Sequence, residues 1–302
     1  MKCGALLLAF CCCAAARAVA WDPVGHMIVC QEAYRHLTPS ARAGADAAVA
    51  EFNQKNQTAY TFTSAGSWMD DVRAKSREYN TWHYIDLPYT PDGTPLPDAE
   101  NRNVLWAIRH CLAILSGRVT DPSIDKAQAV VMLAHLVGDV HQPLHTTSRN
   151  DAGGNKVKVP NIADPLVEAF PHWRNLHYFW DTAYRRAFAA GKVVPLYPDP
   201  PTLKSQPVEG YNAALPLIRE QTDALERIHL PEKYPADGNP EDWVTESHRT
   251  GYTAGYQELP GGDAANPVEL DAAYVDRARE ISQQKLVQAG RRLAGLLNGV
   301  FP

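Results

Sequence analysis

The segment "DKAQAVVMLAHLVGDVHQ", Asp125 to Gln142, has the composition of a buried helix, yet it carries His135, Asp139 and His141, with His145 just past Pro143. Water or a metal would hold such groups better than an apolar interior, where an unpaired imidazole or carboxylate is costly. His135 and Asp139 are four apart, so a helix stacks them one turn above the other on one face. That spacing lets one helix offer two ligands to one ion. Asp139 has two oxygens and can bridge two metals. His145 follows Pro143, where the helix must end, and can turn back toward the same cavity. His141, six residues from His135, faces away and reads as a core residue.

Helical periodicity dominates elsewhere. "HMIVCQEAYRHL" sets Ile28, Val29, Ala33 and Leu37 on one side, and "RNVLWAIRHCLAILSG" runs to a stop at Gly117. "VEGYNAALPLIREQTDALERI", "PEDWVTESHRTGYTAGY" and "AREISQQKLVQAGRRLAGLLNGVF" read the same way, the last with an apolar stripe through Ile281, Leu286, Ala289, Leu293, Leu296 and Leu297. Loops rich in Pro and Gly separate them: "DLPYTPDGTPLPDAENRN", "TTSRNDAGGNKVKVPNIADP" and "VVPLYPDPPTLKSQP". There is no alternating strand series, although "NKVKVP" could form a short strand, and there is no Gly-rich phosphate loop. The pattern predicts one all-α domain of seven to nine helices.

The first twenty residues, "MKCGALLLAFCCCAAARAVA", combine Lys2, an apolar run and a terminal Ala18-Val19-Ala20, the pattern of a cleaved export signal. Cleavage after Ala20 makes Trp21 the new N-terminus of a domain spanning 21–302. It also removes Cys3, Cys11, Cys12 and Cys13, leaving Cys30 and Cys111 either as one disulfide or as two thiols. Without Lys2 and Arg17 the charge is 27 basic against 34 acidic residues, or −7. Such a surface does not favour broad electrostatic binding of duplex nucleic acid; short strands or small anions held through metal ions remain open to it.

A second His-x-x-x-Asp pair, His177 and Asp181, stands in "NLHYFWDTAY". Two such pairs on separate helices are the usual means by which a bundle builds a multinuclear site. Imidazoles and carboxylates without a thiolate suit zinc.

In order along the chain, "WDPVGH", "SWMDDVR", "TWHYIDLP", "HLVGDVHQPLH", "DAGGNK" and "NLHYFWDT" resemble the motif blocks of the S1/P1 nuclease family. The match runs from Trp21 to about Tyr184, with a weaker echo in "DWVTES" and the last helix. The resemblance implies a single-domain helical bundle of the phospholipase C/P1 nuclease type holding three zinc ions. Asp70, His83, His135 and Asp139 would hold one ion. His26, the bridging Asp139 and the α-amino nitrogen and carbonyl of Trp21 would hold its neighbour. His145, His177 and Asp181 would hold a third, more open ion. A free α-amino group has a pKa near 8 and gives up its proton readily to a metal, which would make cleavage before Trp21 a condition of assembly.

The resemblance further implies a secreted or periplasmic phosphodiesterase that cleaves single-stranded DNA and RNA to 5′-phosphorylated products and acts on 3′-nucleotides. Asp70 would orient the attacking water, and Arg73 would neutralise phosphate charge in the transition state. Asp71 falls outside the site. Tyr84 would stack on a base, while Asp86 and Asn155 would hydrogen-bond its edge. The cysteines that form loop disulfides in fungal and plant members are absent here, and the loop from Lys156 to Asn175 is long. Asn56-Gln57-Thr58 is a glycosylation sequon, of use only in a eukaryotic secretory pathway. A zinc-dependent phospholipase C of the same fold is the alternative, disfavoured by Asp181, Arg73 and Asp86; a non-catalytic zinc-binding protein is the third.

Overall fold

The computed structural model describes residues 21–73, 78–197, 207–227, 239–262 and 265–302. The leader expected over residues 1–20 lies outside the described residues. In chain order the elements are α1 (Pro23–His36), α2 (Pro39–Asn56), α3 (Phe62–Ala65), α4 (Trp68–Arg73), α5 (Val104–Leu115), α6 (Lys126–Asp139), α7 (Pro165–Ala169), α8 (Leu176–Thr182), β1 (Arg186–Ala189), β2 (Lys192–Pro195), α9 (Pro207–Glu226), α10 (Pro240–Thr250) and α11 (Ala272–Val300). Among the described residues the protein is all-α apart from one hairpin. Among the described residues seven of these helices have eleven residues or more, and the remaining four are short.

Local chemistry starts most of the long helices. Asp22 accepts a hydrogen bond from Gly25 N (2.9 Å) and Pro23 fills the first turn of α1. Asp125 caps α6 through Gln128 N (2.8 Å), and Asp271 caps α11 through Tyr274 N (2.8 Å). Asn239 with Pro240 does the same for α10. Helix α6 ends at Asp139, four residues before Pro143, which opens the 3₁₀ turn over Pro143–His145 instead.

Helix α6 is the axis of the bundle. From Ala129 to Asp139 every residue is buried, and α6 packs against α1, α2, α5 and α11. Truncating a core leucine such as Leu133 or Leu136 to alanine would cost about 2–5 kcal/mol, since the surroundings cannot collapse fully. Helix α11 lies along α1 at close range. A Cβ on Gly290 would stand 2.6 Å from Glu32 Cβ and 2.8 Å from the Val29 carbonyl, so the helices meet backbone to side chain there. A second apolar cluster, including Phe179, Trp180, Val193, Tyr256 and Tyr274, joins α8, the hairpin and the start of α11. The polar centre lies where the two clusters meet.

Three local readings change. Val193–Pro195, read as the start of a Pro-rich loop, form strand β2, paired antiparallel with β1 from Arg186↔Pro195 to Ala189↔Lys192. The two-residue turn Ala190–Gly191, with φ of 50° and 75°, suits the right-handed twist of a hairpin and was the overlooked signal. "NKVKVP" makes only an isolated bridge, Lys158↔Asn175. The helix read through "PEDWVTESHRTGYTAGY" is α-helical only to Thr250, and Gly251–Gln257 is a π-helical turn. Cys30 and Cys111 are separate buried thiols: Cys30 Sγ donates to Ala134 O (3.3 Å), and burial pushes the Cys111 thiol up to about 12.

Candidate metal centre

Helix α6 brings His135 Nε2 within 3.0 Å of Asp139 Oδ2, one turn apart and both fully buried. His83, the last residue of a 3₁₀ turn over Asn80–His83, points Nδ1 at the same oxygen (3.0 Å) and at His135 Nε2 (2.9 Å). From α1, His26 approaches the other oxygen, Asp139 Oδ1, at 3.4 Å and stacks on the His135 ring at 3.9 Å between centroids. Asp70 on α4 stands 3.8 to 4.0 Å from His26, His83 and His135. Asp139 thus turns one oxygen to His26 and the other to His83 and His135. Gly138 makes this approach possible, since a Cβ there would lie 2.9 Å from His26 Nδ1.

A second group adjoins the first. His145 Nε2 and His177 Nε2 are 3.1 Å apart, and Asp181 Oδ1 is 3.7 Å from His177. His177 and Asp181 share a face of α8, which Asn175 caps through Tyr178 N (2.8 Å). His145 follows Pro143 in a 3₁₀ turn that folds it back toward Asp139 Oδ1 (3.8 Å).

Backbone carbonyls orient three of the rings. His135 Nδ1 donates to Gly66 O (2.7 Å), His145 Nδ1 to His83 O (2.6 Å) and His177 Nδ1 to Gly153 O (2.7 Å). A carbonyl only accepts, so each Nδ1 carries a proton and each ring turns Nε2 inward. Burial lowers the His135 imidazole, but Asp139 and Asp70 outweigh it and raise it to about 9, so this ring would bind a metal by giving up its Nε2 proton. Gly153 has φ +59°, and a Cβ there would sit 2.4 Å from Leu144 O and 3.2 Å from His177 Nδ1. Only glycine brings its carbonyl under His177 without displacing both.

The electrostatics are those of a cavity built around a cation. Burial drives His26 well below its ordinary value and His83 down to about 3, so both rings are neutral and able to ligate. Burial raises Asp70 to about 6 and pushes Asp181 well above the carboxylate range. For Asp139 burial acts in the same direction, but His135 and the hydrogen bonds from His135 and His83 outweigh it and hold the carboxyl low. Both His26 ring nitrogens, Asp70 Oδ2, His83 Nε2 and Asp139 Oδ1 are buried without a hydrogen-bond partner. Such orphans cost about 1–3 kcal/mol each unless something coordinates them. Imidazole and carboxylate donors in three-residue groups, His26–Asp70–His135, His83–His135–Asp139 and His145–His177–Asp181, fit zinc.

The chain start is drawn into the same place. The Trp21 indole Nε1 donates to Gly138 O (2.9 Å), on the α6 turn that carries Asp139, and Asp22 N donates to Asp181 O (3.2 Å). Asp22 is anchored by Tyr184 Oη (2.7 Å) and Arg185 Nη2 (2.6 Å). Residues 21 and 22 are therefore clamped between the two His-x-x-x-Asp helices.

Residues 21–302 match the S1/P1 nuclease family. The chain belongs to the S1/P1 nuclease family. Zinc dependence is the norm for these hydrolytic enzymes. The chain is 26% identical to Endonuclease 2 of Arabidopsis thaliana over 297 residues, covering 93% of this chain and 90% of that one. It is 28% identical to Nuclease P1 of Penicillium citrinum over 183 residues (58% of this chain, 62% of the relative). To Nuclease S1 of Aspergillus oryzae it is 22% identical, covering 92% and 91%.

Within this S1/P1 nuclease, Arg73 closes α4 three residues after Asp70; its Nε donates to Asn80 Oδ1 (2.9 Å), while its buried Nη1 has no hydrogen-bond partner among the described residues. Asp71 turns the other way, accepting from Tyr60 Oη and Tyr211 Oη at 2.9 Å each. His141 also faces away, donating from Nδ1 to Val137 O (2.7 Å) with Nε2 against Arg292 Nη1 (2.9 Å). Tyr84 and Asp86 line one cavity of about 250 Å³ together with Leu96, Asn150 and Lys156. Burial, and then Asp151, raise the Asp86 carboxyl to about 6. Asn155 does not line this cavity; its Nδ2 is turned to Ala152 O (2.7 Å).

Sequence reasoning missed Gln142, whose Nε2 donates to Asp181 Oδ1 (2.5 Å), and Asn80, which holds Arg73. Gln142 carried a signal: it is a buried amide between two histidines, next to Pro143. Asn80 carried none, because its partner is set by tertiary packing.

Proposed function

We propose that this S1/P1 nuclease is a secreted or periplasmic phosphodiesterase that cleaves single-stranded DNA and RNA to 5′-phosphorylated products and acts on 3′-nucleotides. The observation that carries the reading is the two-sided approach to Asp139, which gives one carboxylate to two adjoining donor groups. Trp21, His26, Asp70, His83, His135, Asp139, His145, His177 and Asp181 would hold three zinc ions, Trp21 through its α-amino nitrogen and carbonyl once residues 1–20 are removed as a leader. The family match begins at Trp21, which supports that start for the catalytic domain. No helix among the described residues is long and apolar enough to cross a membrane.

When bound, zinc supplies Lewis acidity, acidifying water and neutralising phosphate oxygens. Asp70 accepts a hydrogen bond from the attacking water and aims it at phosphorus. The water oxygen bonds to phosphorus, the bond from phosphorus to the 3′-oxygen breaks, and the departing oxygen takes up a proton. Arg73, held by Asn80, presents its free Nη1 to the charge that builds on the phosphoryl group. Tyr84 stacks on a base and Asp86 accepts from its amino edge, with Asn155 closing the loop beside them.

The test is turnover of protein beginning at Trp21 on single-stranded DNA, RNA, a 3′-nucleotide and phosphatidylcholine, each with and without a chelator. Chelator-sensitive cleavage of the nucleic substrates is expected. Cleavage of the lipid alone would overturn the reading.

A further inference from the structure

The π-helical turn Gly251–Gln257 continues α10, and none of the proposed zinc ligands lies on it. π turns are rare and tend to mark functional positions. This one is seated on the segment that carries His145, a member of the outer donor group. A Cβ on Gly251 would overlap the Pro143 carbonyl and Thr147 Oγ1, and one on Gly255 would stand 2.8 Å from Leu144 Cδ2. Just before the turn, His248 Nδ1 donates to Thr146 O (3.0 Å). Tyr274 Oη donates to Gly255 O (2.8 Å) and ties the turn to α11.

Tyr256 links the same turn to His177, the second member of that group. An extra residue in a helical turn re-aims the side chains after it by about 100°. Tyr256 is fully buried, and its hydroxyl donates to Asp151 Oδ1 (2.8 Å) across 105 residues of sequence. Its ring is fixed by stacking on Tyr89, at 4.9 Å between centroids. Asp151 Oδ1 also accepts from Gly154 N (2.9 Å), and Asp151 Oδ2 accepts from Arg149 Nε (3.0 Å). Between Asp151 and Gly154 stand Ala152 and Gly153, and the Gly153 carbonyl is the acceptor for His177 Nδ1 (2.7 Å).

This loop needs an outside tie. Asn150, Ala152, Gly153 and Gly154 have φ of 65°, 57°, 59° and 85°. Glycine adopts such angles freely, but alanine is strained there, and strained backbone persists only where its surroundings hold it. The Asp151 carboxylate closes the loop over Ala152 by binding Gly154 N, and Tyr256 holds that carboxylate in place.

We propose that Tyr256 is a positioning residue for the outer donor group, acting through Asp151 to keep the Gly153 carbonyl on His177 Nδ1. The inference rests on the three-zinc reading above. A ligand histidine whose second nitrogen loses its fixed acceptor turns more freely, and metal affinity then falls about 10–100-fold. The hydroxyl of Tyr256 thereby governs how firmly the outer zinc is kept, although it bonds none of the proposed ligands.

Zinc release from the loaded protein beginning at Trp21, followed with an excess of a chromophoric chelator, tests the assignment by counting equivalents in each phase. The parent should release about one equivalent ahead of the other two. Tyr256→Phe removes a single oxygen; it should speed that early phase about tenfold or more and leave the later release unchanged. Asp151→Ala should do the same, and combining the two should bring no further acceleration, since both act through one tie. Asp151→Asn keeps an acceptor oxygen and should stay within about threefold of the parent. Should Tyr256→Phe fail to fold, the contrast between Asp151→Ala and Asp151→Asn decides. Early release unchanged by Tyr256→Phe, or equal in the two Asp151 variants, overturns the proposal and leaves the three-zinc reading standing. So does equal acceleration of all the zinc, which would reduce Tyr256 to a support of the fold. A parent without a third equivalent overturns both.

Discussion

His145 donates its Nδ1 proton to the backbone carbonyl of His83 at 2.6 Å, so a member of one donor group is oriented by the main chain of a member of the other. The two groups are one mechanical unit, and a change at their common member should be felt in both.

Asp139→Ala tests that coupling. The variant should lose at least two of three zinc equivalents, and turnover should fall by about 10³-fold or more, because two donor groups lose their shared charge. Elemental analysis alongside single-stranded DNA cleavage measures both. Full zinc content with full activity would show that Asp139 bridges nothing.

A protein carrying one extra residue before Trp21 should keep its fold and lose zinc. The indole remains on Gly138 O, but an amide nitrogen cannot replace an amine as a ligand at neutral pH. The expected result is an unchanged circular dichroism spectrum with about one zinc equivalent missing. Unchanged zinc stoichiometry would rule out the chain start as a ligand.

Gly153→Ala should damage the outer group specifically. The new methyl would meet Leu144 O at 2.4 Å and His177 Nδ1 at 3.2 Å, in a backbone conformation with φ +59°. About 1–3 kcal/mol of stability should be lost, with selective loss of the most exchangeable zinc. A thermal melt and a timed chelator exchange give the two readings.

Arg73→Ala should lower kcat by about 10²-fold with zinc content unchanged, the usual scale for losing one stabilising donor in a transition state. Equal activity would leave Arg73 as a scaffold residue on Asn80.

Asp86 supplies a pH test. Its folded pKa of about 6 lies above the ordinary 3.8, so between those values the folded chain holds a proton that the unfolded chain has released. The charged carboxylate therefore costs stability above about pH 6 and costs nothing below about pH 4. Asp86→Asn should raise Tm at pH 7 and leave it unchanged at pH 4. If Asp86 reads amino edges, KM for 3′-AMP should rise as pH falls through about 6 in the parent and stay level in the variant. A Tm gain equal at both pH values would remove the charge from the explanation.

The helical content and the His-x-x-x-Asp pairs were legible because helix period and four-residue spacing are local. His135 with Asp139, and His177 with Asp181, are each a single turn whatever surrounds them. The grouping of His26, Asp70 and His83 with them depends on packing among α1, α4, α6 and the 3₁₀ turn over Asn80–His83, and came only from the family resemblance. The β1–β2 hairpin was obscured because Ala190–Gly191 looked like an ordinary loop beside a Pro-rich stretch. The carbonyls of Gly66, Gly153 and His83, which fix three imidazoles, belong to the backbone and leave no trace in side-chain pattern. Asn155 shows the converse, since its motif "GGN" places it beside the cavity while its amide is spent on Ala152 O.

The close seating of α11 on α1 sets an order in time. Arg291 Nε reaches Glu32 Oε1 at 3.2 Å across 259 residues of sequence, on the same helix that carries His26. Pairings so distant in sequence must wait for the whole chain, and the entropy of closing so long a loop makes them late events in folding. A growing chain on the ribosome could bring His135 and Asp139 together, but could not seat α1 against its final neighbour. If His26 holds a metal, its capture would then follow synthesis, so a break within α11 should yield a zinc-poor protein although it removes none of the proposed ligands.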